Sequence, residues 1–310
     1  MKVLFLGTAE FACPTLEALL ASPHEVIGVV TQPDRPKGRG RKTVPTPVKS
    51  LAQNAGLPVY QPEKIRDPAF LKILHSIQPE IMVVVAYGQL LSAPVLAIPP
   101  RGCVNVHGSL LPRYRGAAPI VRAILGGETQ TGITTLFMDP GMDTGPILLT
   151  EETEIGEEDT SGTLHDRLAR IGARLLLRTL EQLETNTLIP KPQDSSLATL
   201  APKIEKEEAR IRWSAPARQT FNQIRAFDPW PGAFTFLAGR ILKLFRPRLI
   251  EGGPKEPPGT IVQASDEGLR VAAPQGHLLI REAQAESRPR MRVSDFLRGT
   301  PLAAGARLGD

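Results

Sequence analysis

Short apolar runs alternate with amphipathic stretches through the first half of the chain. Val3–Leu6, Val26–Val30, Ile81–Ala86 and Val104–Val106 are apolar at consecutive positions and rich in β-branched residues. Consecutive apolar positions suit strands covered on both faces. Between them, Phe11–Ala21 and Pro47–Asn54 carry helical spacing. This alternation predicts a doubly wound, mostly parallel α/β sheet. Ligands of such sheets bind at the carboxyl ends of the strands.

A further strand, Gly132–Met138, leads into a Gly-flanked loop, Gly141–Gly145. Residues Thr160–Glu184 predict one long helix. Thr160 and Ser161 stand at its N-cap, and Leu164, Leu168, Ile171, Leu175 and Leu176 recur along one face. Pro190, Pro192 and the run Gln193–Ser196 then read as a linker. Beyond Lys203 the texture changes. A helix over Ala215–Ala226 precedes five short strand candidates: Ala233–Leu237, Ile241–Phe245, Gly259–Gln263, Gly268–Ala272 and His277–Arg281. Gly- and Pro-rich turns separate them, the pattern of a small β-barrel. The expected organisation is a first domain over residues 1–189, a linker over 190–206 and a second domain over 207–310.

Composition narrows the function classes. Hydrophobic content of 41% with 22% charged residues is that of a folded globular protein. No apolar run approaches the ~20 residues that span a bilayer. The chain opens directly on a strand, so no secretory signal is expected. Two cysteines, Cys13 and Cys103, have no metal-ligand spacing and support no disulfide framework, which points to a cytoplasmic protein. The five histidines are scattered, so no metal is expected. Gly7 is followed by Thr8-Ala9-Glu10, not by a dinucleotide fingerprint, and no phosphate loop of the G-x-x-x-x-G-K-[ST] type occurs. An NAD enzyme, an NTPase and a metallohydrolase are therefore disfavoured.

The chemistry concentrates in Asn105-Val106-His107-Gly108-Ser109-Leu110-Leu111-Pro112 and in Met138–Gly145 around Asp143. Asn105 and His107 are two apart on an extended chain, so their side chains leave on one face. Either residue alone is often only a hydrogen-bonded structural group, and Asp143 alone reads as a turn residue. Together an amide, an imidazole and a carboxylate suit acyl transfer. The amide donates to a developing oxyanion, the imidazole moves a proton and the carboxylate orients the imidazole.

Charge is unevenly distributed. Residues 1–200 carry 19 Lys and Arg against 20 Asp and Glu, whereas residues 201–310 carry 18 against 12. The second region suits a polyanionic partner. Within the first region, the loop Gln32–Lys49 holds Arg35, Lys37, Arg39, Arg41, Lys42 and Lys49 against the single acid Asp34. A basic loop directly after a strand suits contact with a phosphate backbone. Gly- and Pro-rich charged loops of this kind often order only on binding, and the sequence leaves open whether this one is ordered beforehand.

These residues resemble the formyltransferase family that uses 10-formyltetrahydrofolate. Asn105–Pro112 and Asp143-Thr144-Gly145 look like its two signature segments. Thr31–Pro36 with Gly38-Arg39-Gly40 is similar to the tRNA-contacting loop of those members that act on aminoacylated initiator tRNA. So is Arg225–Ala233 in the second domain. Ala9 stands where the family commonly has Pro. The resemblance implies a Rossmann-like formyltransferase domain followed by an open, OB-like β-barrel that binds tRNA. It implies transfer of the formyl group of 10-formyltetrahydrofolate, a diffusible donor, to the α-amino group of methionine on initiator tRNA. Asn105, His107 and Asp143 would be catalytic. Ala86, Tyr87, Gly88, Gln89, Leu90, Ser109, Leu110, Leu111 and Pro112 would bind the folate, through backbone groups. Arg35, Lys37, Arg39, Arg41 and Lys42 would hold the tRNA. A monomer without membrane association is expected.

Three other readings stay open at this point. The same chemistry could serve a small amine such as an amino sugar nucleotide or glycinamide ribonucleotide. Water could be the acceptor. The chain could also be a catalytically silent RNA-binding protein on the same fold.

Overall fold

The computed structural model describes residues 1–37, 42–253 and 255–309. The chain folds into two compact units. One comprises Met1–Pro119, Gln130–Glu154 and His165–Ala201; the other comprises Ile120–Thr129, Ile155–Leu164 and Pro202–Asp310. The residues expected to form a linker, 190–206, thus divide between the units after Ala201.

The first unit is built on a seven-stranded sheet. In chain order its strands are β1 (Lys2–Gly7), β2 (Glu25–Val30), then β3 (Arg35–Lys37) and β4 (Lys42–Val44), which form a separate hairpin. The sheet continues with β5 (Val59–Tyr60), β6 (Ile81–Val85), β7 (Cys103–His107), β8 (Gln130–Phe137) and β9 (Ile147–Glu154). The spatial order is β5-β2-β1-β6-β7-β8-β9. The first five pair in parallel, β8 adds antiparallel to β7, and β9 adds antiparallel to β8. The apolar runs read from the sequence are the central strands. Val3–Leu6 and Ile81–Val83 are fully buried, as a sheet with helices on both faces requires.

Helices α1 (Cys13–Leu20), α2 (Pro47–Asn54) and α3 (Pro68–Ile77) follow β1, β4 and β5. Each carries Pro at its first turn, where no amide hydrogen is needed. Thr46 and Asp67 cap α2 and α3 by accepting from Lys49 N–H and Ala69 N–H. After β6 and β7 come the short α4 (Ala93–Leu96) and α5 (Pro119–Leu125).

The long helix α6 spans Ser161–Glu184. Its predicted apolar face is the buried one: Leu164, Leu168, Ile171, Leu175 and Leu176. Thr160 is the cap, since Thr163 N–H donates to its hydroxyl at 3.2 Å. Gly172 lets the helix approach β7 closely, because a Cβ there would stand 2.9 Å from Val106 Cγ1. Val106 therefore faces α6, and Asn105 and His107, one residue to either side, face away from it.

The second unit carries α7 (Ala217–Ala226), an antiparallel sheet and α8 (Val293–Gly299). The sheet strands are β10 (Phe234–Leu237), β11 (Arg240–Glu251), β12 (Ile261–Ser265), β13 (Gly268–Ala273), β14 (Gly276–Ala285) and β15 (Met291–Arg292). Their order is β10-β11-β14-β13-β12, with β15 on β14. The C-terminal segment links the two ends of that order. Leu308 N–H donates to Gly259 O at 2.8 Å and Gly309 N–H to Phe236 O at 3.0 Å. Trp213 packs beneath this closure and donates from Nε1 to Thr235 Oγ1 at 3.0 Å.

Candidate active site

Strand β7 sets the site. Its i, i+2 spacing brings Asn105 and His107 to one face, with His107 only 6% exposed. Asp143 arrives by an indirect route. Because β8 is antiparallel to β7, it ends beside the start of β7: Met138 N–H donates to Cys103 O at 2.8 Å. The loop after it turns back along β7 and carries Asp143 to the two side chains. Asn105 Nδ2 donates to Asp143 Oδ1 at 3.3 Å, and His107 Nδ1 stands 3.6 Å from Asp143 Oδ2.

The loop that performs this return is held by its own polar groups. Gly141 N–H and Thr144 Oγ1 both donate to Asp139 Oδ1, at 3.1 and 2.6 Å. Gly145 permits the tight closure, since a Cβ there would fall 1.9 Å from Phe137 O. Asp143 itself adopts the left-handed region, φ 56°.

The segment after β7 completes the environment. His107 Nε2 lies 2.9 Å from the Tyr114 carbonyl oxygen. A carbonyl only accepts, so Nε2 carries a hydrogen and Nδ1 is the nitrogen free to exchange a proton. Gly116 N–H donates to Asp143 Oδ2 at 2.8 Å. The carboxylate thus accepts from Asn105 and Gly116 and faces the imidazole. One amide hydrogen of Asn105 is engaged by Asp143, which leaves its second for a substrate oxygen. Such an arrangement can stabilise an oxyanion and relay one proton.

The formyl transferase family model matches residues 1–180, and the model of the formyl transferase C-terminal domain matches residues 203–301. The chain belongs to the formyltransferase family. It is 50% identical over 309 residues to a methionyl-tRNA formyltransferase of Syntrophus aciditrophicus (strain SB), covering 100% of this chain and 99% of the relative. It is likewise 50% identical over 308 residues to a methionyl-tRNA formyltransferase of Pelobacter propionicus, covering 99% and 96%. Among solved structures, an N-formyltransferase from Helicobacter canadensis in complex with folinic acid and dTDP-3-aminofucose superposes with a TM-score of 0.70. That likeness, at 19% identity over 92% of this chain and 100% of the other, is one of fold.

In this formyltransferase the expected folate residues fall on two loops at the carboxyl edge of the sheet, after β6 and β7. Their side chains serve the loops themselves. The Tyr87 ring is in the hydrophobic core, and burial pushes its phenol well above the ordinary range. Gln89 accepts from Ile65 N–H at 2.9 Å and donates to Glu63 O at 3.2 Å. Ala86, Gly88 and Leu90 are exposed, with Leu90 at 77%. Gly88 is required, since its φ is +84° and a Cβ would meet Gln32 Nε2 at 2.4 Å. In the second loop, Ser109 Oγ donates to Arg113 O at 2.7 Å. Thr134 clamps this turn, donating to Ser109 O at 2.7 Å and accepting from Leu111 N–H at 3.1 Å. Leu111 is buried, whereas Leu110 and Pro112 are half-buried.

The base of the basic loop is a hairpin, which the sequence reading did not include. Arg35–Lys37 and Lys42–Val44 pair as a two-stranded hairpin, and Arg35 is exposed on it. Arg39 and Arg41 lie outside the described residues. Lys49, counted with the basic groups from sequence, is bound to Asp34 at 2.5 Å. The Lys49 ammonium, then Gln61, hold the Asp34 carboxyl below its usual range. This pair anchors the base of the loop and takes Lys49 out of the set free for phosphate.

Sequence reasoning missed the braces behind the loops that carry Tyr114 and Asp143. Thr199 accepts from Tyr114 N–H through its hydroxyl at 2.8 Å and from Arg115 N–H through its carbonyl at 2.8 Å. Ala201 O accepts from Ala118 N–H at 3.1 Å. Gln193 bonds Arg115 and the Asp143 loop together. Side chains that bond backbone leave no periodicity to read. No helix among the described residues is long and apolar enough to cross a membrane.

Proposed function

We infer that this formyltransferase moves the formyl group of 10-formyltetrahydrofolate to the α-amino group of methionine esterified to initiator tRNA. The observation that carries the reading is full-length identity of 50% to proteins named for that reaction, with both family segments present. The products are formylmethionyl-tRNA and tetrahydrofolate. A bond forms between the amine nitrogen and the formyl carbon, the bond from that carbon to the folate nitrogen breaks, and one proton passes from the amine to that nitrogen.

Each residue of the trio has a part in this. The second amide hydrogen of Asn105 meets the formyl oxygen as negative charge develops there. His107 Nδ1 receives the amine proton and returns it to the leaving nitrogen, while Nε2–H stays bound to Tyr114 O. Asp143 faces the imidazolium that forms transiently, and Gly116 N–H fixes the carboxylate for that purpose. The backbone of Ala86–Leu90 and of Ser109–Pro112 supplies the folate-binding surface. The exposed residues Ala86, Gly88 and Leu90 suit a heterocycle edge rich in donors and acceptors.

Arg35, Lys37, Arg39, Arg41 and Lys42 meet the tRNA backbone, and basic residues of the second unit also bind it. Phosphate contacts supply affinity and salt dependence. The enzyme acts as a cytoplasmic monomer in this reading. The test is formylation with Arg39→Ala and Arg35→Ala across a salt series. Both variants should use methionyl-tRNA less well with folate binding intact, and the salt slope should flatten. Unchanged formylation in both would remove the hairpin from the tRNA site. Turnover of a small amine or water at the rate of methionyl-tRNA would move the acceptor.

A further inference from the structure

Gln193 sits in the segment that follows α6, among residues whose composition reads as a linker. Its side chain makes four hydrogen bonds within the first unit. Nε2 donates to Asp143 O at 2.8 Å and to Gly145 O at 2.7 Å. Oε1 accepts from Arg115 Nε at 3.1 Å and from Arg115 Nη2 at 2.7 Å. Arg115 is buried, 7% exposed. One amide therefore joins the loop that carries Asp143 to the loop that carries Tyr114 and Gly116. Those loops supply the contacts of the trio, Tyr114 O on His107 and Gly116 N–H on Asp143.

We propose that Gln193 is a positioning residue for formyl transfer, fixing the left-handed peptide at Asp143 so that its carboxylate reaches His107 and Asn105. The inference rests on the reading of the trio as the transfer site. Asp143 holds φ 56°, a conformation that costs a non-glycine residue free energy and needs support from its surroundings. The bonds from Gly141 and Thr144 to Asp139 curl the loop but stay within it. Gln193 grips the carbonyls on both sides of Thr144 and ties them to a buried cation. An amide is suited to this place because it donates on one side and accepts on the other. A carboxylate would confront two carbonyl oxygens, and an ammonium would confront Arg115.

The test is a double-mutant cycle between Gln193→Ala and Asp143→Asn, with Gln193→Glu as a second variant that keeps the Arg115 bonds and removes the donors. Gln193→Ala and Gln193→Glu should each lower kcat by up to ~10²-fold, the scale of a small misplacement of a reacting group, with KM for the formyl donor unchanged. In the Asp143→Asn background, Gln193→Ala should add less than about twofold, the margin within which independent changes count as additive. Wild-type kcat in both Gln193 variants, or a full second loss on top of Asp143→Asn, would overturn the proposal. Thermal melts of each variant keep unfolding apart from mispositioning. The same proteins are assayed for consumption of formyl donor without tRNA. If wild type consumes donor but does not formylate methionyl-tRNA, the acceptor reading fails, and the cycle on donor consumption still decides the role of Gln193.

Discussion

His107 Nδ1 and Asp143 Oδ2 stand 3.6 Å apart although the strand leading to Asp143 runs away from His107. The return loop makes the pair, and the Tyr114 carbonyl, 2.9 Å from Nε2, makes its polarity. With Nε2–H committed to that carbonyl, the neutral imidazole presents the Nδ1 lone pair to the site. Long-range 15N–1H spectra of the enzyme should show His107 as the Nε2–H tautomer when neutral. A neutral Nδ1–H form would contradict the proton route given above.

Asn105 keeps one amide hydrogen for substrate while the other binds Asp143 at 3.3 Å. Asn105→Ala should lower kcat by ~10²–10³-fold, the usual loss for an oxyanion donor. Folate affinity, measured by fluorescence titration, should stay near wild type. A loss confined to folate affinity would assign Asn105 to binding.

Gly116 serves through conformation and through its amide. Its φ is +125°, and a Cβ would come within 2.7 Å of Ala201 O. Gly116→Ala should destabilise the fold by about 1–3 kcal/mol, the range for strained or overpacked sites. It should lower kcat as well, because the N–H that holds Asp143 moves. Denaturant melts and steady-state rates on the same preparation check both parts.

Arg122 grips Glu208 in the second unit with two bonds, 2.6 and 3.0 Å. The guanidinium, as the largest cause, holds the Glu208 carboxyl below its ordinary 4.5. A carboxylate depressed in the folded state contributes stability above its unfolded value, and that contribution is lost as pH falls through the folded value. Wild type should therefore lose more stability than Glu208→Gln as pH falls from the ordinary 4.5 through the lower folded value, with the difference vanishing at still lower pH. Since the pair is partly exposed, the difference near neutral pH should be roughly 1 kcal/mol or less. Urea melts across pH measure it, and parallel curves for the two proteins would contradict the assignment.

Burial pushes the Cys103 thiol up to about 12. Cys13 is half-buried, and its thiol is also raised, first by burial and then by Glu17 and Glu10. Thiolates are the reactive species, so native enzyme at pH 8 should react slowly with Ellman's reagent and release both thiols only on denaturation. Rapid labelling of Cys103 in the native state would place the start of β7 outside the core.

Much of this was legible in the residues. The buried strands announce themselves as consecutive apolar runs, and the two-residue spacing of Asn105 and His107 fixes their common face before any fold is known. The long helix was readable to within one residue at its start, because capping hydroxyls and a leucine face mark it. The direction of β8 was not legible, since a strand's side-chain pattern is the same either way along a neighbour. Strand β9, Ile147–Glu154, exposes Thr150, Glu152 and Glu154 and reads as polar chain. The hairpin within the basic loop is formed by strands of three residues, too short for a period. Gln193 was hidden by its setting. Prolines and serines around it look like a linker, and its role lies in contacts with residues 50 and 78 positions away.

In the proposed reaction the trio of Asn105, His107 and Asp143 moves formyl to methionyl-tRNA. The most direct measurement is formyl transfer from 10-formyltetrahydrofolate to methionyl-initiator tRNA, run for wild type and His107→Ala beside an unacylated tRNA control. Robust transfer by wild type, abolished without the methionyl group and reduced ~10²–10⁴-fold in His107→Ala, is the predicted result. Transfer that persists in His107→Ala at the wild-type rate, or none to methionyl-tRNA by wild type, would contradict the account.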